Sequence, residues 1–113
     1  YTQAFKDLPI QMNPYSPESE PNFWLSCLLI DKECPVTPTQ IREALEKENI
    51  ESRPIWKPMH LQPVFEGCDF IAVDAATDVG AEVFERGLCL PSDVKITKEE
   101  QEMVIDIVKD CFT

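Results

Sequence analysis

The stretch FWLSCLLID (residues 23–31) decides how this chain folds. Its apolar side chains follow one another without a usable alternation, which is typical of a central strand covered on both faces. The run is also far shorter than the ~18 uncharged apolar residues that a membrane span needs. Two other segments can accompany it: Ile50–Trp56, expected at a sheet edge because Pro54 cannot donate to a strand ladder, and Leu88–Leu90, a brief buried strand that Pro91 ends.

The first helix is predicted over residues 37–48. Thr37 is its N-cap, Pro38 occupies the first helical position, and Gln40 closes a capping box with Thr37. Asn49 is expected to end the helix, because asparagine tolerates the left-handed conformation that often follows the last turn.

Two more helices are predicted toward the C-terminus. One covers residues 78–86 with Gly87 as its stop, and the other begins at Thr97, which forms a second capping box with Glu100. Helical spacing defines the side chains expected to face the core. They are Ile41, Ala44 and Leu45 in the first helix, Val79, Val83 and Phe84 in the second, and Met103, Val104, Ile107, Val108 and Cys111 in the third.

The order strand, helix, strand, helix, strand, helix predicts an α/β fold, a small two-layer α/β sandwich. Residues 1–22 and 57–76 are expected to be irregular. The 113 residues carry 10 Lys+Arg against 21 Asp+Glu, a formal charge of −11, which disfavours general binding to nucleic acids or anionic membranes. Only three glycines are present, so a Gly-rich phosphate-binding loop is excluded.

The five cysteines, at positions 27, 34, 68, 89 and 111, include no C-x-x-C pair. The lone His60 has no cysteine or second histidine near it, so a structural zinc site is not expected. We expect reduced core thiols in a cytosolic protein, and a redox or metal protein remains the less favoured alternative.

The segment SRPIWKPMHLQPVF (residues 52–65) carries the candidate functional site. It contains no carboxylate and gathers Arg53, Lys57 and His60 around Trp56, while three prolines stiffen its backbone. Arginine offers a planar fork to an oxyanion, lysine a point charge and tryptophan a stacking face. A histidine can bond a hydroxyl or move a proton near neutral pH. The segment therefore indicates a ligand with anionic groups and a flat or ring-shaped part.

Structural roles compete with this interpretation. Trp56 can belong to the core, Arg53 can pair with a nearby glutamate, and His60 can be an ordinary partly buried histidine. Large apolar residues of the segment (Ile55, Met59, Leu61, Val64, Phe65) are expected to dock it onto the body. Asn22 is a lesser candidate at the mouth of the first strand, next to Trp24, which we expect in the core. Ser92 has no sequence-local base, so a nucleophilic role is not expected.

Four blocks carry a resemblance to a known family: NFWLSCLLID (22–31), NIESRPIWKPMHLQPVF (49–65), AEVFERGLCLPSD (81–93) and TKEEQEMVIDIV (97–108). Together they resemble the C-terminal domain of the DegT/DnrJ/StrS-type sugar aminotransferases, which are pyridoxal-phosphate enzymes. The middle block is the specific one, whereas residues 66–77 match only loosely, and Asp93 stands where the family often has glycine.

The resemblance implies the small domain of a fold type I transferase, over residues 22–113, with residues 1–21 joining it to a large domain that holds the cofactor. The start at Tyr1 rather than Met fits such a fragment. The whole enzyme would be a cytoplasmic homodimer that moves an amino group from an amino acid, usually glutamate, to a nucleotide-linked keto-sugar for polysaccharide or glycan precursors.

By the same resemblance, Arg53, Trp56, Lys57, His60 and Asn22 would bind substrate. Lys57 belongs to the substrate-side motif and is not expected to be the lysine that binds the cofactor. No catalytic, cofactor-binding or metal-binding residue is expected within these residues, so the piece alone should be catalytically silent. The alternative is a stand-alone sugar-nucleotide-binding or protein-interaction module without catalysis.

Overall fold

A computed structural model describes residues 1–113 and confirms the α/β class. In chain order, the elements are β1 (Ile10–Met12), β2 (Ser26–Ile30), α1 (Pro38–Lys47), β3 (Arg53–Pro54), α2 (Val79–Arg86), β4 (Gly87–Leu90) and α3 (Lys98–Asp110). Two short 3₁₀ turns, Met59–Leu61 and Pro63–Phe65, interrupt the otherwise irregular segment between β3 and α2. None of the three α-helices has the length and apolar character that crossing a membrane requires.

The four strands form one antiparallel sheet in the order β1-β2-β4-β3. The apolar run at residues 23–31 supplies a central strand, as predicted, and β3 lies at an edge, where the missing N–H of Pro54 costs no sheet hydrogen bond. The strand begins only at Ser26, and Phe23 before it has a φ of 50°, outside the extended region.

One face of the sheet carries the core. The side chains buried there come from alternate positions on the two central strands and from the inner faces of α1 and α3, and Phe5 near the start of the chain joins them. The strand and helix members are Leu28, Ile30, Ile41, Leu45, Leu88, Leu90, Val104 and Val108. Burying a side chain of this kind stabilises a fold by roughly 1.5–3 kcal/mol. The layer of α1 and α3 therefore makes this face the inner face of the sheet.

Both predicted capping boxes are present. The Thr37 hydroxyl accepts the N–H of Gln40, and the Gln40 side chain accepts the N–H of Thr37 at 2.8 Å. Thr97 and Glu100 repeat this arrangement at the start of α3. Asn49 follows α1 with a φ of 58°, as expected for the residue that ends a helix.

Two of the helix residues predicted to face the core are exposed instead. Val79, in the first turn of α2, is 65% exposed, and Met103 on α3 is 53% exposed. Helical spacing places both on the correct stripe, but α2 covers only part of the sheet, through the half-buried Val83 and Phe84. Met103 borders an open groove of about 550 Å³ that Ile50 also lines. A period identifies a face of a helix, and it cannot say how far a neighbour extends over that face.

Residues 1–22 were expected to be irregular, and the structure corrects this prediction. Residues Ile10–Met12 form β1, which pairs with Leu28–Ile30 of β2. Phe5 is buried in the core, and the Tyr1 hydroxyl donates to the carbonyl of Pro91 at 3.0 Å. Half-burial raises the pKa of Tyr1. The start of the chain thus belongs to the packed body, through a strand too short for any sequence pattern to mark it.

The second face of the sheet is only partly covered. Gly87 follows α2 directly, as predicted for its stop, and begins β4 with a φ of −104°, so it ends the helix in an extended conformation. Glycine is required here because a larger residue has no room. An added Cβ would lie 2.4 Å from Cγ1 of Ile55 and 2.5 Å from the carbonyl oxygen of Val83. The close contact holds the segment after β3 against the junction of α2 and β4.

Several side chains expected to dock the segment of residues 52–65 onto the body are exposed. Met59, Leu61 and Val64 face solvent, as do the indoles of Trp24 and Trp56, so the core role considered for both tryptophans is wrong. Most of the large apolar side chains of this segment therefore lie on the open surface, whereas Ile55 and Phe65 are half-buried.

Candidate functional site

Two indoles dominate the open face of the sheet. Trp24 precedes β2 and Trp56 follows β3, and their ring centroids lie 6.1 Å apart with the planes tilted by 39°. They are 70% and 65% exposed, respectively. Large aromatic rings left this accessible beside one another offer stacking surface to a flat ligand. We call Trp24 and Trp56 the indole pair.

A groove of about 530 Å³ lies on one side of the indole pair. It contains Arg53 and Glu51 at the sheet edge and has Cys89 of β4 among its lining residues. Nε and Nη2 of Arg53 contact Oε1 of Glu51 at 2.8 and 2.7 Å, and both side chains are largely exposed. An exposed ion pair contributes little stability, so an anionic ligand can compete with Glu51 for the guanidinium. We call this cleft the arginine groove.

The hydroxyl of Ser52 also lines the arginine groove and is buried without a hydrogen-bond partner. An unpaired buried hydroxyl costs roughly 1–3 kcal/mol, which a polar ligand atom or a water molecule can recover. Sequence reasoning missed Ser52 and Glu51 as site residues. The available signal was their position next to Arg53 in the sequence, because residues that flank an edge strand lie at the same end of the strand.

A second groove, of about 460 Å³, shares the indole pair and is mostly apolar. Asn22 lines it, and its Oδ1 accepts the backbone N–H of Trp24 at 3.1 Å. This local bond spans the left-handed residue Phe23 and fixes the turn that carries Trp24. Asn22 thus lies just before β2, where its side-chain oxygen holds the backbone of Trp24.

His60 lies apart from the two grooves. Its Nε2 is 2.5 Å from Oδ2 of Asp78, and its ring stacks on Phe70 with centroids 3.8 Å apart. The side chain is 21% exposed. Asp78 is the N-cap of α2, and the N–H of Ala81, more than His60, holds the pKa of its carboxyl below the usual range. These contacts tie the first 3₁₀ turn to the start of α2.

Lys57 is exposed and forms no ion pair, and neither groove includes it among its lining residues. Its backbone carbonyl accepts the side-chain amide of Gln62 at 3.2 Å, which steadies the turn after Trp56. The structure therefore brings Arg53, Trp56 and Asn22 to adjoining clefts. It leaves Lys57 beside them with a free ammonium group, and it gives His60 a separate partner.

The chemistry of the cysteines and carboxylates does not indicate a metal. No group of three or more His, Cys, Asp or Glu side chains is arranged to hold a metal ion. Arg86, which could have added a cation to the site, instead donates to the carbonyl of Ile30 at 2.7 Å and lies near Glu82. The arrangement can therefore stack a ring and hold an oxyanion.

Comparison with known proteins gives a consistent result. The profile of the DegT/DnrJ/EryC1/StrS aminotransferase family matches residues 1–109. EpsN of Bacillus subtilis (strain 168), named as a pyridoxal phosphate-dependent aminotransferase, is 40% identical over 91 residues, which are 80% of this chain and 23% of that protein. GDP-perosamine synthase of Vibrio cholerae is 27% identical over 112 residues, 99% of this chain and 30% of that protein.

A solved structure shares the fold. Helicobacter pylori PseC, an aminotransferase involved in the biosynthesis of pseudoaminic acid, superposes with a TM-score of 0.74 at 19% identity, over 99% of this chain and 30% of that one. The chain thus spans 23% to 30% of the length of these relatives.

Proposed function

Since this chain belongs to the DegT/DnrJ/EryC1/StrS aminotransferase family, we propose that it is the C-terminal domain of a pyridoxal-phosphate-dependent sugar aminotransferase. The full protein would transfer an amino group from an amino acid, glutamate, to a nucleotide-linked keto-sugar. The names of its relatives support this substrate class, because one makes a GDP-linked amino sugar and another serves pseudoaminic acid synthesis. We propose a cytoplasmic homodimer that feeds polysaccharide or glycan precursor synthesis.

The cofactor itself does not fit the residues of this chain. When bound, pyridoxal phosphate supplies the electron sink for amino-group transfer and is held through a lysine amine. An activated lysine of this kind is normally desolvated, whereas all seven lysines here are exposed. We therefore assign cofactor binding to the remainder of the polypeptide, to which residues 1–21 would connect, and substrate binding to these residues.

The arginine groove is the observation that carries the proposal. A nucleotide-linked sugar combines flat and ring-shaped parts with a diphosphate, and this groove combines the indole pair with a weakly held guanidinium. In our proposal Trp56 stacks on the ligand, Arg53 holds a phosphate oxygen as a fork, and Lys57 adds a nearby point charge. Asn22 keeps Trp24 in place. His60 would contact a substrate oxygen only through Nδ1, because Nε2 is engaged by Asp78.

The activity is tested on the complete open reading frame that contains these residues. Purified with pyridoxal phosphate, that protein should aminate at least one nucleotide-linked keto-sugar from a panel, with glutamate as donor. The 113-residue chain alone should show no turnover under the same conditions. Failure of the complete protein on the whole panel with every common amino-acid donor would refute the activity.

Binding by the 113-residue chain tests the site separately. Titration with nucleotide sugars, followed through the indole N–H signals in NMR spectra, should shift Trp24 and Trp56. R53Q should weaken binding about tenfold, the effect of losing one charge-assisted contact. R42Q is the matched control, since Arg42 makes a similar surface pair, with Glu46 on α1. Equal affinities of the two variants would remove Arg53 from the site. Binding by the chain combined with inactivity of the complete protein would favour the non-catalytic module.

A further inference from the structure

Two cysteines face each other at the centre of the sheet. Cys27 of β2 and Cys89 of β4 are directly opposite in the strand register, and their Sγ atoms are 3.7 Å apart. Residues opposite one another project from the same face of a sheet. Both are free thiols, and no other pair of cysteines has sulfur atoms in contact.

The backbone around this pair favours a bond between the two sulfurs. The N–H of Cys27 donates to Oδ1 of Asn13, and its carbonyl accepts the N–H of Asn13, both at 2.7 Å. In an antiparallel strand the N–H and C=O of one residue point to the same side. Cys27 therefore turns its backbone polar groups toward β1 and forms a non-hydrogen-bonded pair with Cys89.

In such pairs the Cα atoms lie ~4.5 Å apart and the side chains are closest, which falls within the ~4.4–6.8 Å range that disulfides span. The sulfurs can thus be joined by side-chain rotation, without a shift in strand register.

We propose that Cys27 and Cys89 are a reversible oxidation site, which a peroxide converts into a disulfide across β2 and β4. The thiolate of Cys27 attacks one oxygen of hydrogen peroxide, which breaks the O–O bond, forms a sulfenic acid and releases hydroxide. The Cys89 sulfur then attacks the Cys27 sulfur, an S–S bond forms, and the hydroxyl leaves as water with the Cys89 proton. The hydroxide takes up the proton that Cys27 lost on forming its thiolate, so in sum two thiols and one peroxide give one disulfide and two waters.

The order of the two steps follows from the surroundings of each sulfur. Cys89 is only 6% exposed, and burial, followed by the neighbouring Cys27, raises its pKa to about 12. It therefore stays a neutral thiol and meets solvent oxidant poorly. Cys27 is partly exposed and takes the oxidant first, while Cys89 acts as the resolving thiol at contact distance.

The site also borders the clefts described above. Cys89 lines the arginine groove, and Cys27 lines the apolar groove on the other side of the indole pair. Oxidation therefore changes a lining residue of each groove. The inference rests on the geometry of the two thiols alone and is independent of the proposed enzymatic activity.

Peptide mapping tests the proposal on the 113-residue chain. The native chain is treated with hydrogen peroxide, its remaining thiols are blocked with N-ethylmaleimide in denaturant, and trypsin is added. Cleavage after Lys6, Lys32, Arg86 and Lys95 puts Cys27 in the peptide 7–32 and Cys89 in the peptide 87–95, with no other cysteine in either. We expect these two peptides to be linked, with blockable thiols falling from five to three and returning to five with dithiothreitol.

Two controls make the result specific. C68S removes an exposed thiol and should leave the same link, whereas C27S should leave Cys89 blockable after peroxide. The chain unfolded in urea before oxidation should give mixed pairings, which shows that the native sheet selects the pair. The proposal is overturned if all five thiols stay blockable, if Cys27 goes on to a sulfinic acid with Cys89 free, or if native oxidation yields mixed pairings.

Discussion

Replacing Gly87 by alanine should destabilise the fold through one added methyl group. The new Cβ would lie 2.4 Å from Cγ1 of Ile55 and 2.5 Å from the carbonyl oxygen of Val83, whereas ordinary contacts begin near 3.4 Å. Ile55 can rotate away, but the Val83 carbonyl belongs to the backbone of α2 and cannot. The overlap must therefore move the helix, the strand or both.

The expected loss is about 2 kcal/mol. Overpacking of this kind costs ~1–3 kcal/mol, and a backbone obstacle places Gly87 at the upper end. Against this, alanine restricts the unfolded chain and offsets up to ~1 kcal/mol. For a domain of this size the net change lowers Tm by roughly 10 °C. Urea unfolding followed by circular dichroism measures the free energy, and thermal melting measures Tm.

Gly80 provides the matched control. It lies in the same helix, and the nearest atoms to a Cβ there would be side-chain atoms, in the ring of Pro58 at 3.3 Å and Oδ1 of Asp78 at 3.6 Å. Alanine favours the helix over glycine by up to ~1 kcal/mol, so the free energy of unfolding of G80A should differ from that of the wild type by no more than this amount. The reasoning fails if G87A is as stable as the wild type, or if G80A loses as much as G87A.

Three further predictions concern stability. F5A should lower the free energy of unfolding in urea by about 4 kcal/mol, because Phe5 is fully buried in the core. Y15A, at an exposed aromatic position, should lower it far less, and equal losses would contradict the placement of residues 1–12. T97A removes the N-cap of α3 and should lower the free energy of unfolding by about 1 kcal/mol in the same assay. An unchanged value would mean that the capping box does not stabilise the fold. The lowered pKa of Asp78 means that its stabilising contribution is complete above the usual aspartate value of ~3.9 and is lost as pH falls through the lower folded value. D78N keeps a capping side chain without that titration, so its unfolding free energy should fall less steeply below pH ~4; parallel curves for the two proteins would contradict this.

Much of the fold could be predicted because its signals are local. A capping box needs only four residues, and both predicted boxes form the contacts expected of them. The run at residues 23–31 identified a central strand through its lack of polar residues, and Pro54 identified an edge strand through its missing N–H. In each case the physical cause lies within the segment.

The candidate site could be predicted only in part from such local signals. Sequence reasoning found the segment that carries Arg53 and Trp56, and the structure places both in one groove. It did not find the second indole, Trp24, because that residue precedes β2 whereas Trp56 follows β3, and the two rings meet only through the sheet order. His60 was assigned to the same cluster, yet its nearest charged partner is Asp78, at 2.5 Å, a residue 18 positions away.

The sequence by itself determined three of the four strands, all three helices and where the helices begin, and which residues carry cations and aromatic rings, but it did not mark β1. Only the tertiary structure decided which of those groups meet: the indole pair, the arginine groove, the burial of Phe5 and the opposed thiols of Cys27 and Cys89. The physical reason is the distance along the chain over which each interaction acts. Capping, backbone restriction and side-chain periodicity act over one or two turns, whereas pairing across strands depends on how the whole sheet is ordered and which of its faces the helices cover.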